Sequence, residues 1–324
     1  MAERVALVTG AGGNIGAAAT AALLAHGWRV RALTRRPDDP RLAREVGLEW
    51  VRGDAMSAAD VAAAAEGARI LVHGLNPPNY RNWRGLAIPM LRHAIAATRA
   101  SGARLIFPGN VYVFGPDAWP VTSEDSPQRP RTRKGAIRVE MERMLRDAAG
   151  EGVRSLVLRA GDFFGAGGRS SFFASVMVKL GRPVRAITDP ATPGVGHAWA
   201  YLPDLGETLA LLADREETLD AAAVLHFGGH WLEDGAEMAR AIRRVVDNPD
   251  LPIRRFPWIA VYLGAPFVPL FRELIEMRYL WRVPLRLDNR KLVGLLGSEP
   301  HTPLDEAVRR TLQGLGCLPA PSGG

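Results

Sequence analysis

The residues best placed to do chemistry stand near the N-terminus, in the turn Thr9-Gly10-Ala11-Gly12-Gly13-Asn14-Ile15-Gly16. The turn follows an apolar run, 4–10, and opens an alanine-rich stretch, 14–27. A glycine motif between a strand and a helix is a dinucleotide signature. Gly10 allows the tight turn, Gly13 lets backbone approach a pyrophosphate, and Gly16 lets the helix pack closely on the strand. Phosphates then sit at a helix N-terminus, where free N–H groups and the dipole favour anions. Cofactor choice is read after the next strand. NAD-binding sites place a carboxylate there for the ribose 2′-hydroxyl. This chain has Thr34-Arg35-Arg36, with no acid until Asp38. Two guanidiniums would bind a 2′-phosphate that a carboxylate would repel, so NADP(H) is the expected cofactor.

Those residues need a scaffold, and the first half of the chain alternates strand and helix patterns. Strands are expected at 4–10, 28–35, 48–54, 69–74, 103–109 and 153–161, with helices at 14–27, 57–67, 84–100 and 132–149. Such alternation implies right-handed βαβ units and a parallel sheet covered on both faces. The expected fold is α/β, a Rossmann-type doubly wound parallel sheet over 1–161, with a smaller substrate-binding lobe over 162–324 interleaved with the end of the sheet. In that lobe the pattern predicts strands at 197–202 and 224–229 and helices at 204–215, 234–246, 258–279 and 304–315. Asp204 reads as a helix N-cap. Loop 115–131 is long enough to be functional.

Composition narrows the classes. Of 324 residues, 47% are hydrophobic and 23% charged, the balance of a globular protein. The net charge is +7, but basic residues are spread along the chain without a nucleic-acid-binding motif, so no nucleic-acid partner is expected. The single cysteine, Cys317, needs no oxidising compartment. The apolar run 258–271 is short and holds two prolines, so it does not span a bilayer, and no membrane partner is expected. A cytoplasmic location follows from these features and from an N-terminus without a signal-peptide layout. His226 and His230 lack a third ligand in register, and no metal is expected. Only three of the 41 basic residues are lysines: Lys134, Lys179 and Lys291. In a chain that writes arginine almost everywhere, each lysine invites a reason.

The glycine spacing GxxGxxG resembles the short-chain dehydrogenase/reductase superfamily, in its extended, epimerase/dehydratase-like branch. Further segments match in order: Phe114-Gly115, Leu158-Arg159-Ala160-Gly161 and Tyr201-Leu202-Pro203-Asp204. The resemblance implies that Asp54 and Ala55 border the adenine and that His73-Gly74-Leu75 line the ribose. It also implies a Ser, a Tyr and a Lys at the reacting carbonyl, but no Tyr stands between Tyr112 and Tyr201. Aligned on the family's downstream glutamate, here Glu142, Lys134 takes the Tyr position and Arg138 the Lys position. A second register puts Pro130 at the Tyr and Lys134 at the Lys. The Ser position is Asn110, whose amide can donate to a carbonyl or a developing oxyanion. In the first register Lys134 is the candidate proton donor and a cofactor contact, and Arg138 binds ribose hydroxyls.

Tyr80, Trp83, Phe163, Phe164 and His197 are candidate lining for a pocket at the carboxyl ends of the strands, with core packing as the competing role for the aromatics. Segment 256–281 reads as a cap on that pocket or as the surface of a homodimer. The function these features imply is NADP(H)-dependent oxidoreduction of a carbonyl/alcohol pair on a small molecule. Two other readings stay open: a nucleotide-sugar epimerase or dehydratase, and a non-catalytic NADP-sensing regulator of the NmrA type.

Overall fold

Residues 4–40, 42–77, 82–168 and 171–319 are described by the computed structural model. Seven parallel strands form the central sheet. In chain order they and their helices begin with β1 (Val5–Thr9), α1 (Asn14–Ala25), β2 (Arg29–Thr34), β3 (Leu48–Arg52), α2 (Ala58–Ala65), β4 (Ile70–His73), α3 (Trp83–Ser101) and β5 (Arg104–Asn110). A two-residue strand β6 (Val121–Thr122) precedes α4 (Arg133–Ala149) and β7 (Arg154–Ala160). The chain then leaves the sheet through β8 (Asp162–Phe164), β9 (Ile187–Asp189) and β10 (His197–Tyr201). It returns with α5 (Leu202–Asp214) and the seventh sheet strand, β11 (Ala222–His226). The sheet order is β11-β7-β5-β4-β1-β2-β3. Successive strands lie outward from β1 on one side and from β4 on the other. The crevice at that reversal, at the carboxyl ends of β1 and β4, is where doubly wound folds hold ligands.

Burial explains the strand runs. Every residue of β1 and β4 is buried, as expected for strands covered on both faces. One face packs under α1 and α5, where a Cβ on Gly206 would meet Ala18 O at 2.6 Å. The opposite face packs Leu7, Leu71, Leu105 and Val157 under α2, α3 and α4. Three buried arginines depart from the solvated role expected of so many: Arg104, Arg138 and Arg159.

The remainder consists of β12 (His230–Leu232), α6 (Glu237–Val246), β13 (Ile253–Arg255), α7 (Trp258–Gly264), α8 (Pro269–Met277), β14 (Arg286–Leu287), α9 (Arg290–Leu296) and α10 (Leu304–Gly314). Strands β12, β10 and β8 make a small sheet over a core that includes Phe164, Phe173, Trp199 and Ile242. Strand β14 pairs with β6, so loop 115–131 is clasped by the C-terminal part of the chain. Two sequence expectations are corrected. The helix expected over 258–279 breaks into α7, α8 and a short 3-10 turn, because Pro269 starts a new helix and cannot continue the old one. Asp204 is not the N-cap of α5. The helix starts at Leu202, and the carboxylate instead takes Thr302 N and Oγ1, each at 2.7 Å.

Candidate active site

The glycine turn has the shape a pyrophosphate requires. Gly10 sits at φ +80°, and a Cβ there would meet Gly74 C at 2.8 Å. A Cβ on Gly16 would lie 2.1 Å from Gly10 O. Gly74 N donates to Thr9 O at 2.9 Å, so the ends of β1 and β4 and the first turn of α1 meet backbone to backbone. Gly13 is the N-cap of α1, with no side-chain cap and no acid in the first turn. By contrast, Ser57 caps α2 and Thr132 caps α4. With no side-chain cap and no acid in its first turn, the N-terminus of α1 fits a dinucleotide phosphate. Gly16→Ala should cost about 1–3 kcal/mol of stability through that overlap and abolish dinucleotide binding. Denaturant unfolding and cofactor titration of the variant check both effects. A variant that binds cofactor normally would show that close packing is not needed.

Beyond β2, Arg36, Asp38, Asp39, Pro40 and Arg52 line an open depression. Arg52 was not foreseen. It lies opposite Thr34 in the β2–β3 register, and its guanidinium holds Asp38 at 2.7 Å. The first acid after β2 is therefore spent on an arginine. Arg35, Arg36 and Arg52 all expose their side chains around Thr34, whose Oγ1 accepts from Arg36 N at 3.2 Å. Asp54 and Ala55 stand next to this edge, with Asp54 Oδ1 taking Met56 N at 2.9 Å and Ala55 O bonded to His93 Nδ1 at 3.0 Å.

His73 does not present its ring to a ligand. It is buried against Phe107, and neither ring nitrogen meets a hydrogen-bond partner among the described residues. Burial, assisted by the charge of Arg138, pushes its pKa down to about 3. Burial also brings His226, beside Arg159, to about 3 and His230, near His301, to about 4. In the folded protein these rings stay neutral well below the ordinary value. Their contribution is complete above the unfolded pKa and is lost as pH falls toward the folded one. His26 runs the other way: burial opposes its charge, but bonds to Asp214 and Glu207 raise its pKa. Three against one, stability should fall on acidification from roughly pH 6 toward 4, by at most about 1.4 kcal/mol per pH unit for each buried ring. Urea unfolding across that range checks this. A flat profile would contradict it.

At the end of β5, Asn110 caps a short 3-10 turn, its Oδ1 accepting from Tyr112 N at 3.1 Å. That bond leaves the amide N–H groups as donors. Helix α4 brings Lys134 and Arg138 to the same region. The helix is pinned by Glu142, which holds the buried Arg159 of β7 at 2.8 Å. The glutamate that anchors the family alignment thus has a positioning role here. Arg138 bonds Pro108 O at 3.3 Å and lies over the rings of Trp83 and Phe107.

Lys134 is buried. Nζ pairs with Glu273 Oε2 and with Glu276 Oε2, the latter at 2.9 Å, while Glu276 Oε1 accepts Lys134 N at 2.8 Å. Burial works against ionisation of Glu276, yet the bonds to Lys134 hold its pKa below the ordinary value. These two glutamates of α8 were missed in the sequence. The signal was there, since they are the only acids between 252 and 284, but nothing in the sequence said what they would meet.

Of the pocket candidates, Tyr80 lies outside the described residues. Trp83 is buried at the start of α3, its Nε1 donating to Asn76 Oδ1 at 2.6 Å. Phe163 packs partly buried on the main core, and Phe164 is wholly inside the core of the C-terminal lobe. His197 is buried, stacked on Trp281 at 4.0 Å and bonded to Asp162 Oδ2 at 2.9 Å. It borders a cavity of about 10 Å³ with Val111, Gly161, Asp162, Leu280 and Leu285. That volume suits at most a water-sized molecule. The 3-10 turn 278–281 closes over it, and beside it Tyr279 has a buried hydroxyl without a hydrogen-bond partner among the described residues. Burial, then the charges of Asp162 and Glu276, raise the Tyr279 pKa.

Among the described residues no helix is long and apolar enough to cross a membrane, and no three side chains group as metal ligands.

Known proteins carry the same architecture. The putative epimerase of Burkholderia cenocepacia J2315 superposes with a TM-score of 0.77 at 18% identity, over 97% of this chain and 99% of that one. MoeE5, solved with UDP-glucose and NAD, superposes with a TM-score of 0.71 at 21% identity, over 95% and 97%. At such identities the likeness is one of fold. In sequence, the protein y4nL of Sinorhizobium fredii, described as uncharacterized, is 33% identical over 199 residues, 54% of this chain and 55% of that one. The chain thus spans about half the length of that curated relative. Residues 6–223 match the NAD dependent epimerase/dehydratase family. The chain belongs to that family, the extended branch of the short-chain dehydrogenase/reductases.

Proposed function

We propose that the protein is an NADP(H)-dependent oxidoreductase acting on a carbonyl/alcohol pair of a small organic molecule. The guanidinium cluster beyond β2 carries the cofactor reading. Arg36 and Arg52 line the depression beyond β2 with Asp38, Asp39 and Pro40, Arg35 is exposed next to it, and Arg52 engages Asp38. With no carboxylate at the strand end itself, a 2′-phosphate there would find charge-assisted donors. When bound, NADP(H) supplies or accepts a hydride at nicotinamide C4. The chain's own residues do the rest. The first turn of α1 holds the pyrophosphate, Asn110 donates to the substrate oxygen, and Arg138 fixes the nicotinamide ribose. Lys134 gives or takes the proton at that oxygen.

The cavity beside His197 and Asp162 is water-sized, so a substrate that used it would require the segment 278–285 to move aside. Because α8 directly precedes that segment, the same motion would draw Glu273 and Glu276 away from Lys134 and release its ammonium. The lining of that cavity is mixed, with Val111, Leu280 and Leu285 beside Asp162 and His197. The epimerase and dehydratase readings remain within the family's range, but they use a Tyr and a Lys at positions occupied here by Lys134 and Arg138.

The test is to follow NADPH absorbance with a panel of aldehydes, ketones and enones, with cofactor binding measured in parallel. Oxidation of NADPH by a member of the panel supports the proposal. Tight binding without oxidation across the panel supports the NADP-sensing regulator instead.

A further inference from the structure

The hairpin of α7 and α8 shows an apolar face that the fold does not use. Residues 256–271 contain no charged side chain. Ile259, Tyr262 and Leu263 share one face of α7, at helical spacing. Ile259 is 78% exposed and Leu263 73%. The tip continues that face: Phe267 is 84% exposed, with Val268 and Leu270 also open to solvent. The tip is nonetheless ordered by backbone bonds, since Phe267 N and Val268 N both donate to Gly264 O, at 3.0 and 2.9 Å. The inner side is satisfied by buried Val261 and Met277. Large apolar side chains are therefore held outward on a folded projection. An exposed apolar patch of this kind marks an interaction surface.

The rim identifies the partner. Between 252 and 284 there are five arginines and two glutamates. Both glutamates are taken by Lys134. Arg278 lies 5.1 Å over the rings of both Trp258 and Tyr262, at the border of the patch. Arg133 stands exposed beside Glu276, and Arg254, Arg255, Arg272 and Arg282 are exposed as well. A second copy docked by the same face would bring these arginines against one another with no acid left to answer them. A protein partner would need polar complementarity, about one hydrogen bond per 100–200 Å² of interface. The patch itself has only two hydrogen-bonding side chains, Trp258 and Tyr262, and Trp258 Nε1 already donates to Pro190 O at 3.3 Å, so its polar capacity is almost wholly the cationic rim. An apolar face with aromatic residues and an arginine rim matches the interface of an anionic bilayer.

We propose that the α7–α8 hairpin docks on an anionic lipid surface, with Leu263, Phe267 and Leu270 inserted among acyl chains and the arginine rim on the headgroups. The 258–271 run is too short to span a bilayer but long enough to lie on one. From sequence, a membrane-surface role for 256–281 ranks below a pocket cap or a dimer surface; this proposal departs from that order and from the expectation of no membrane partner. The inference is independent of the cofactor and of the reaction.

The test is cosedimentation of the full chain with phosphatidylcholine vesicles, with and without roughly one-third phosphatidylglycerol, at low and high salt. Binding to the anionic vesicles that weakens with salt is expected. Leu263→Ser with Phe267→Ser should weaken it at least about tenfold, since each loses the burial of a large side chain. Both positions are exposed, so the thermal midpoint of the double variant should match the parent. Absence of binding to either vesicle, or unchanged binding by the variant, overturns the proposal. So does a dimer that the two substitutions dissociate in a protein that ignores vesicles, because the occupant is then a second copy.

Discussion

Lys134→Met should lower turnover by about 10²–10⁴-fold, the usual worth of a positioned proton donor, while NADPH affinity stays within a few fold. The ion pair adds a second effect. Removing the ammonium leaves Glu273 and Glu276 facing each other in a partly buried site, and breaking a buried pair costs up to about 3–5 kcal/mol. A drop in activity alone could then reflect damage to the fold. The triple variant Lys134→Met, Glu273→Gln, Glu276→Gln separates the two. Neutral amides tolerate the loss of the ammonium, so its unfolding midpoint should recover while turnover does not. Recovery of turnover in the triple variant would mean that Lys134 only anchors α8. Tyr279→Phe belongs beside it, because the Tyr279 hydroxyl lies within the electrostatic reach of Glu276 and has no partner among the described residues. Loss of turnover there, with Lys134→Met still active, would move the proton transfer to Tyr279.

Arg35→Ala with Arg36→Ala should weaken NADPH binding by about 10²–10⁴-fold, as two charge-assisted contacts worth roughly 1.5–3 kcal/mol each are removed. NADH binding should change by less than about threefold, because a ribose 2′-hydroxyl makes no such contact. Both side chains are exposed, so the fold should be unaffected. Affinity for NADPH should also fall with salt in the parent and much less in the variant. Arg52→Ala is the informative companion. It loses one guanidinium and also frees the Asp38 carboxylate, so it should lower NADPH affinity and raise the relative preference for NADH. Equal binding of NADH and NADPH by the parent would remove the basis for all three expectations.

Much of the scaffold was legible in the chain. The apolar runs at 4–10, 69–74 and 103–109 and the intervening helical stretches produced β1, β4, β5, α1 and α3 within a few residues. Strands buried on both faces leave a continuous apolar run that no other arrangement explains as simply. The glycine turn was legible for a related reason: only a residue without a Cβ fits at Gly10 and Gly16, so the backbone geometry is written in the residue type. The helix that carries Lys134 and Glu142 was readable too, expected over 132–149 and found at Arg133–Ala149. The buried pair of Glu142 with Arg159 holds that helix on β7.

What the sequence could not contain is the pairing of groups far apart in the chain. Lys134 meets Glu273 and Glu276 across about 140 residues, and Arg52 meets Asp38 only because β2 and β3 are in register. Aromatic type alone did not separate Phe164, sealed in the lobe's core, from Phe267, held in solvent. Hydrophobicity is a property of the side chain, but burial depends on what the fold brings against it. The residue types along the chain thus determined a dinucleotide turn, a parallel sheet and an amine at an unusual helix position. Only the tertiary structure decided that the amine is latched by the glutamates of α8 and that the apolar hairpin faces outward.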